Sequence, residues 1–207
     1  MKLYYSPGVS SLAAHIAAKE GCVTLDLVKV DLKTHLTDSG EDFLGINPRG
    51  YVPALKLDNG ALLTEIPVIL EWLADEAPED TLMPADRMAR HRVRQWLAFI
   101  ATEIHKQCFY ARAEMGADTA KAARGKIARR LAESNERLGV TPYLAGASFT
   151  VADAYLFTVL NWMPRFDVDL GAYPHLQVFV ERMLERAAVR DALFEEGILE
   201  ALLERLV

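Results

Sequence analysis

The sequence predicts an α/β module at the N-terminus followed by an all-helical remainder. Three observations carry this. A short aromatic strand, a helix and an aliphatic strand succeed one another up to Leu32. Two further short apolar runs flank Asp58-Asn59-Gly60. Beyond Pro78 the apolar residues recur at helical rather than alternating spacing.

Lys2–Tyr5 is the first strand, and the turn signal Ser6-Pro7-Gly8 stops it. Ser10 or Ser11 is placed to cap the next helix. Leu12, Ala13, Ile16 and Ala17 then recur at helical spacing up to Gly21, a residue suited to the position just past a helix end. Leu25–Leu32, rich in aliphatic and β-branched residues, is the second strand. This β-α-β order implies a parallel pair with a right-handed crossover. Residues 33–53 are polar and irregular, with one short helix expected near Glu41–Leu44. Ala54–Leu57 and Ala61–Thr64 form a hairpin across the Asn-Gly turn. A helix follows, with Val68, Ile69, Trp72 and Leu73 expected on one face, until Ala77-Pro78. The expected sheet is mixed and four-stranded, βαβ then ββα, over a first domain of residues 1–77.

Residues 78–85 contain Pro78 and Pro84 and are read as a linker. The expected second domain, 86–207, is all-α. Asp86 is placed to cap a long helix running towards Arg112, and another spans about Thr119 to Leu138. Thr150-Val151-Ala152-Asp153 has the form of a capping box with Asp in place of Glu or Gln. It opens the apolar helix Ala154–Trp162, which ends before Pro164, and Asp153 is expected to be buried and hydrogen-bonded. Two or three more helices fill Pro174–Leu206.

Composition narrows the function classes. The 207 residues are 51% hydrophobic and 25% charged, an ordinary globular balance with material for a substantial core. A net charge of −6 argues against a broad nucleic-acid surface. The cluster Arg124, Lys126, Arg129 and Arg130 lies among alanines at helical spacing and reads as a solvated helix face. Two cysteines, Cys22 and Cys108, make no disulfide framework. Met1–Tyr5 runs straight into a turn without the charged and apolar regions of a secretory leader, and no run of about 18 apolar residues offers a membrane span. A cytoplasmic protein without membrane association is expected. No Gly-rich dinucleotide fingerprint follows a strand, and no set of metal-like ligands clusters near His105.

Four segments together resemble the glutathione transferases, most closely the bacterial beta-class members: MKLYYSPGVSSLAAHIA at 1–17, NPRGYVPAL at 47–55, LTEIPVILEWLAD at 63–75 and FTVADAYLFTVLNW at 149–162. Each alone is weak; their order and spacing are specific, and the resemblance covers essentially the whole chain. It implies a thioredoxin-like first domain that binds reduced glutathione. On this resemblance Pro53 is cis, and the backbone of Val52, beside Tyr51, pairs with the cysteinyl part of glutathione as an added strand. Ile66 N–H, at a helix start, holds the γ-glutamyl carboxylate, and Glu65 faces the γ-glutamyl ammonium. The family usually has Ser, Ala or Gly at position 66, so Ile66 keeps the backbone donor and lacks a hydroxyl. His35 stands where relatives often carry a Lys that contacts the glycyl carboxylate. His105-Lys106 matches a His-Lys pair placed near the active site, with Phe99 and Glu103 one to two turns earlier. A homodimer is implied, with helix 66–76 and the first long helices at its interface. No cofactor is implied, since glutathione is a co-substrate.

The chemistry then turns on one ionisation. Only a thiolate is a strong nucleophile, and a free thiol with a pKa of about 8.5 is mostly protonated at neutral pH. Lowering it by about 2 units needs roughly 2.7 kcal/mol of preferential stabilisation. A hydroxyl hydrogen bond and a helix N-terminus can supply that. Ser10, Tyr5 and Ser11 are the candidates, in that order. Beta-class relatives commonly have Cys at position 10. Ser10 can donate to a thiolate but cannot form a mixed disulfide, which favours activation without a covalent enzyme intermediate. Conjugation of glutathione to small hydrophobic electrophiles, with Phe109, Tyr110 and Trp162 beside the acceptor, is the leading expectation. A glutathione-dependent isomerase, lyase or dehalogenase, or a non-catalytic glutathione-fold binding protein, are the alternatives.

Overall fold

Short strands between Lys2 and Thr64 build one mixed sheet. The computed structural model describes residues 1–204. Strand β1 (Lys2–Tyr5) is central. Helix α1 (Ser11–Glu20) leads to β2 (Asp26–Asp31), which runs parallel to β1 with Lys2 opposite Asp26 and Tyr5 opposite Lys29. β3 (Leu36–Thr37) pairs antiparallel with Val30 and Asp31. On the other side, β4 (Ala54–Lys56) lies antiparallel to β1, and β5 (Leu62–Thr64) lies antiparallel to β4. The order is β3-β2-β1-β4-β5, five strands instead of the expected four. Leu36–Thr37 is too short to show any alternation, which is why the sequence pattern missed it. The hairpin closes as expected: Leu57 N–H donates to Ala61 C=O (2.8 Å) and Gly60 N–H to Leu57 C=O (2.9 Å).

Side chains alternate across the sheet. Tyr4, Val30, Phe43, Val52 and Ala54 form a buried cluster, with the Tyr4 and Phe43 rings 5.4 Å apart. The expected short helix is a 3₁₀ turn at Phe43–Gly45, opened by Asp42, whose carboxylate accepts from Leu44 N–H. Helix α2 (Ile66–Glu76) buries Ile66, Ile69, Leu70, Leu73 and Ala74. Val68 is half exposed and Trp72 is only partly buried, so the core face lies to one side of the expected one. At about 100° per residue, positions 66, 69, 70 and 73 share a stripe that position 68 does not.

The ending of α1 also differs from expectation. Gly21 has φ −86°, and the left-handed conformation falls to Cys22 at φ 53°. Gly21 is needed for closeness instead: a Cβ there would stand 2.8 Å from both Ala77 Cβ and Leu82 Cδ1. Gly21→Ala is therefore expected to destabilise the protein by about 1–3 kcal/mol, read as a lower denaturation midpoint; an unchanged midpoint would contradict the close fit.

The helices that follow begin with α3 (Arg87–Phe99), capped as expected by Asp86, whose carboxylate accepts from Ala89 N–H at 2.8 Å. The expected single helix is interrupted: a π-helical segment, Ile100–His105, separates α3 from α4 (Lys106–Tyr110). There the Thr102 hydroxyl takes the Ala98 carbonyl at 2.9 Å, in competition with the backbone ladder. Helix α5 (Ala117–Leu138) buries a stripe of Ala120, Ala123, Ile127, Leu131, Ser134 and Leu138. Helix α6 (Val151–Leu160) is buried all round, as its apolar sequence requires. Its capping box forms: Asp153, fully buried, accepts from Thr150 N–H (2.8 Å), Thr150 Oγ1 (2.9 Å) and Leu144 N–H (2.9 Å). Helix α7 (Pro174–Leu184) follows two 3₁₀ turns.

The last described helices, α8 (Ala187–Glu195) and α9 (Leu199–Leu203), change the expected division. The chain packs as two units, Met1–Leu82 with the segment from Arg186 onward, and Met83–Glu185. Helix α1 packs against both α2 and α8, and Arg186 grips Glu20 with two parallel hydrogen bonds of 2.5 and 2.7 Å. The C-terminal segment expected within 86–207 thus completes the core of the first unit.

Candidate active site

Strand directions gather the first-unit candidates at one end of the sheet. β1 and β2 run towards that end, β4 starts from it, and β5 returns to it. Ser6–Ser11, His35, Val52-Pro53 and Glu65-Ile66 all follow or precede strand ends there. Pairing of Ala54 with Thr64 brings Pro53 and Glu65 to neighbouring positions.

The turn after β1 separates its two serines. Ser11 is fully buried, and its hydroxyl donates to Ser6 C=O (3.1 Å) and accepts from Ser6 N–H (3.2 Å). Both of its roles serve to close the turn. Ser10 is also buried, and its hydroxyl donates to Val52 C=O at 3.1 Å. Neither hydroxyl caps α1, contrary to the sequence expectation, because each has a partner elsewhere. Tyr5 is almost wholly buried. Burial, then the carboxylates of Glu196, Asp38 and Glu195, push its phenol above the ordinary value. Tyr5 is therefore a neutral hydroxyl at physiological pH and not a phenolate base.

The Val52-Pro53 peptide bond is cis, as the resemblance implied. Asn47 organises the approach to it: its Nδ2 donates to Tyr51 C=O at 2.8 Å and its Oδ1 accepts from Arg49 N–H at 3.3 Å. The Tyr51 side chain is 75% exposed, so this residue contributes its backbone to the loop and its ring to the surface. Val52 itself is buried on the Tyr4–Phe43 cluster.

At the α2 start, Glu65 has φ 69° and ψ 114°, a conformation rare for any residue but glycine. Strained residues of this kind concentrate at functional sites. Its carboxylate is exposed and lies 3.2 Å from Arg49 Nη1, which also reaches Thr64 Oγ1 at 3.5 Å. Val68 and Ile69 N–H both donate to Glu65 C=O, and Pro67 has no N–H, so Ile66 supplies the remaining donor of the first turn. The Ile66 side chain is buried, which shows how the larger residue is accommodated. His35 has φ 56° and packs against Gly50, where a Cβ would stand 2.8 Å from its Cε1. Its Nδ1 is enclosed with no partner among the described residues.

In the second unit, His105 is held by Tyr155, whose hydroxyl lies 2.7 Å from Nδ1, and by the Trp162 ring, edge-on at 4.9 Å. Burial, then Lys106 and Arg112, push its imidazole down to about 4. His105 is thus neutral at physiological pH. The unfolded chain takes up this proton near pH ~6.5 and the folded protein only near 4. Stability is accordingly full above about pH 6.5 and falls as pH drops towards 4, by up to ~3 kcal/mol from this residue. Urea midpoints of a His105→Gln variant should show a flatter acid limb than the native protein; an identical limb would contradict this.

Lys106 extends over the rings of Phe109 and Tyr110, with Nζ 5.2 and 5.6 Å from their centroids. Glu103 is engaged by Arg130 at 2.7 Å and is not a free carboxylate. Phe99 packs edge-on against Trp96. Cys108 is buried and its thiol is pushed up to about 12, chiefly by burial, so it behaves as a small hydrophobe. No group of three or more metal-binding side chains occurs among the described residues.

Comparison with known proteins identifies the family. Models of the glutathione S-transferase N-terminal and C-terminal domains match residues 10–76 and 97–187. Glutathione S-transferase GstA of Escherichia coli O157:H7 is 40% identical, over 96% of this chain and 100% of its own. The chain belongs to the glutathione S-transferase family. A sphingomonad glutathione S-transferase solved in complex with glutathione superposes with a TM-score of 0.90 at 42% identity, covering 96% of this chain and all of the other. The bacterial glutathione S-transferase BphK, solved as a ternary complex, gives 0.91 at 44% identity over 95% of this chain and all of its own.

Two partners of the transferase-fold residues carried no signal in the sequence. Arg49 reaches Glu65 across 16 positions, and Tyr155 reaches His105 across 50. Only strand register and helix packing bring such pairs together.

Proposed function

We propose that this glutathione S-transferase family member binds reduced glutathione at the sheet end formed by Val52, Glu65 and Ile66. It ionises the thiol beside Ser10 for conjugation to a small hydrophobic electrophile. The observation that carries this reading is the Ser10 hydroxyl on the Val52 carbonyl at 3.1 Å. That pair sits where an extended peptide would add its backbone. When a cysteinyl N–H donates to Val52 C=O, the Ser10 hydroxyl is free to turn and donate to sulfur. A carbonyl oxygen has two lone pairs, so the exchange needs no strained intermediate. One bond inside the protein is replaced by one to the peptide backbone and one to the thiolate.

Ser10 acts as a donor and not as a base. The thiol proton leaves to solvent, and the thiolate is favoured because the hydroxyl and the α1 start stabilise its charge. The thiolate then attacks the electrophilic carbon; a C–S bond forms and, for an aryl halide, the halide leaves with the bonding pair. Serine has no sulfur for disulfide exchange, so the enzyme stays covalently unchanged. Glu65, with its exposed carboxylate, suits an ammonium group, and Ile66 N–H at the α2 start suits a carboxylate. The proposal includes a homodimer built on α2, where Val68 is half exposed, and a cytoplasmic setting.

Calorimetry with reduced glutathione and turnover with chlorodinitrobenzene test the reading together. Uptake of glutathione with saturable conjugation is expected, and Tyr5→Phe should retain most of the turnover. Binding without turnover would make the protein a glutathione-binding module, and no binding would reject the site.

A further inference from the structure

The turn that carries Ser10 is held from behind by a buried carboxylate. Gly8, in that turn, has φ 69° and so occupies a conformation that L side chains rarely adopt. Its N–H donates to Glu196 Oε2 at 2.8 Å. The other oxygen of Glu196 lies 3.2 Å from His15 Nδ1. Glu196 has a fully enclosed side chain and His15 is 2% exposed. On its far side, His15 Nε2 meets Glu195 Oε2 at 3.0 Å, and Glu195 Oε1 takes the Lys19 ammonium at 2.5 Å. A polar chain therefore runs inward from the surface pair Lys19–Glu195, through His15 and Glu196, and ends on a backbone N–H two residues before Ser10.

Enclosing a carboxylate is costly unless its hydrogen bonds are met. A chain needing only to join α8 to α1 could do so with apolar side chains, as the buried Val189, Ala192 and Leu193 of α8 already show. We propose that Glu196 is a positioning residue for the reaction: its carboxylate, steadied by His15, fixes Gly8 and so fixes where Ser10 presents its hydroxyl. This rests on the reading of Ser10 as the thiolate's donor. Ser11 closes the turn onto Ser6 at one end, and Glu196 pins its middle. Only Val9 separates Gly8 from Ser10, so a displaced Gly8 moves the hydroxyl with it. Glu196 acts through geometry, because a negative charge near the turn opposes a thiolate. Glutamine preserves that geometry: its oxygen accepts from Gly8 N–H, and its amide donates to His15 Nδ1 in the suitable neutral tautomer.

The test uses the full chain and four variants: Glu196→Ala, Glu196→Gln, Gly8→Ala and Ser10→Ala. Steady-state conjugation of glutathione to chlorodinitrobenzene and the ultraviolet absorbance of bound thiolate against pH are measured on each folded variant. Glu196→Ala should lower kcat by about tenfold to a hundredfold and raise the thiolate titration midpoint, since small misplacements of reacting groups have effects of that size. The KM for glutathione should move by less than about threefold, because Val52 and Ile66 are untouched. Glu196→Gln should stay within about threefold of native kcat. Gly8→Ala, which strains the turn while leaving the carboxylate in place, should reproduce the loss, and it decides the matter if Glu196→Ala does not fold. Native kcat and thiolate titration in folded Glu196→Ala would overturn the proposal even if its melting temperature fell, and so would a Glu196→Gln variant as impaired as Glu196→Ala. Ser10→Ala is the control for the underlying reading. A native thiolate in that variant sinks the Ser10 assignment, whereas its loss there beside an unaffected Glu196→Ala sinks only the positioning role.

Discussion

In the Ser10→Ala variant, glutathione is expected to bind nearly as in the native protein while turnover falls by about one to two orders of magnitude. The two effects separate because the contacts are separate. In the proposed site, binding draws on the Val52 backbone, the Ile66 N–H and the Glu65 carboxylate, and Ser10 touches this set only through its hydroxyl on the Val52 carbonyl. Ionisation draws on the hydroxyl. Its removal should return the bound thiol towards the free value of about 8.5, leaving only a few per cent thiolate at pH 7. Raising the pH should then restore much of the lost rate, since alkali supplies the thiolate that the variant no longer favours. Fold stability should suffer little, because the Val52 carbonyl loses one neutral hydrogen bond worth about 1 kcal/mol. The check is a pH–rate profile for both proteins. A profile that moves to higher pH supports the donor role, and a uniformly lowered profile of native shape rejects it.

Asp153→Ala is expected to act on stability alone and to act strongly. Removing the carboxylate leaves two backbone N–H groups, of Leu144 and Thr150, and the Thr150 hydroxyl without an acceptor in a fully buried place. Buried donors stripped of partners cost about 1–3 kcal/mol each before relaxation, so a total of about 3–5 kcal/mol is expected. For a chain of this size the melting temperature should fall by roughly 10 °C or more. The glutathione affinity of the folded protein should remain native, and a selective loss of affinity at native stability would reject the structural assignment. Asp153→Asn keeps one acceptor oxygen but points an amide donor towards other donors, so it should recover only part of the loss.

Local signals were the legible ones. The Asn59-Gly60 turn, the Asp86 cap and the Thr150–Asp153 box each need only residues a few positions apart, and each formed as the sequence implied. The cis bond at Val52-Pro53 was legible through family resemblance and not through any spacing. Features that depend on packing were not. Gly21 looked like a helix terminator, yet its need is set by Ala77 and Leu82. Val68 looked like core until the rotation of α2 placed Leu70 there. The π-helical segment at Ile100–His105 lies within an unbroken helical pattern, because its buried positions Val93, Leu97, Ile100, Ile104 and Cys108 keep ordinary helical steps. His15 carried no local signal of its role, since its carboxylate partners lie 180 and 181 positions away.

The return of α8 to α1 has a bearing on how the chain is made. Met1–Leu82 leaves the ribosome first but lacks the helix that packs on α1 until the segment from Arg186 is synthesised. The middle unit, Met83–Glu185, is uninterrupted in sequence. Nascent Gly8 has to wait for Glu196, so the turn that carries Ser10 is among the last parts of the first unit to be held in place.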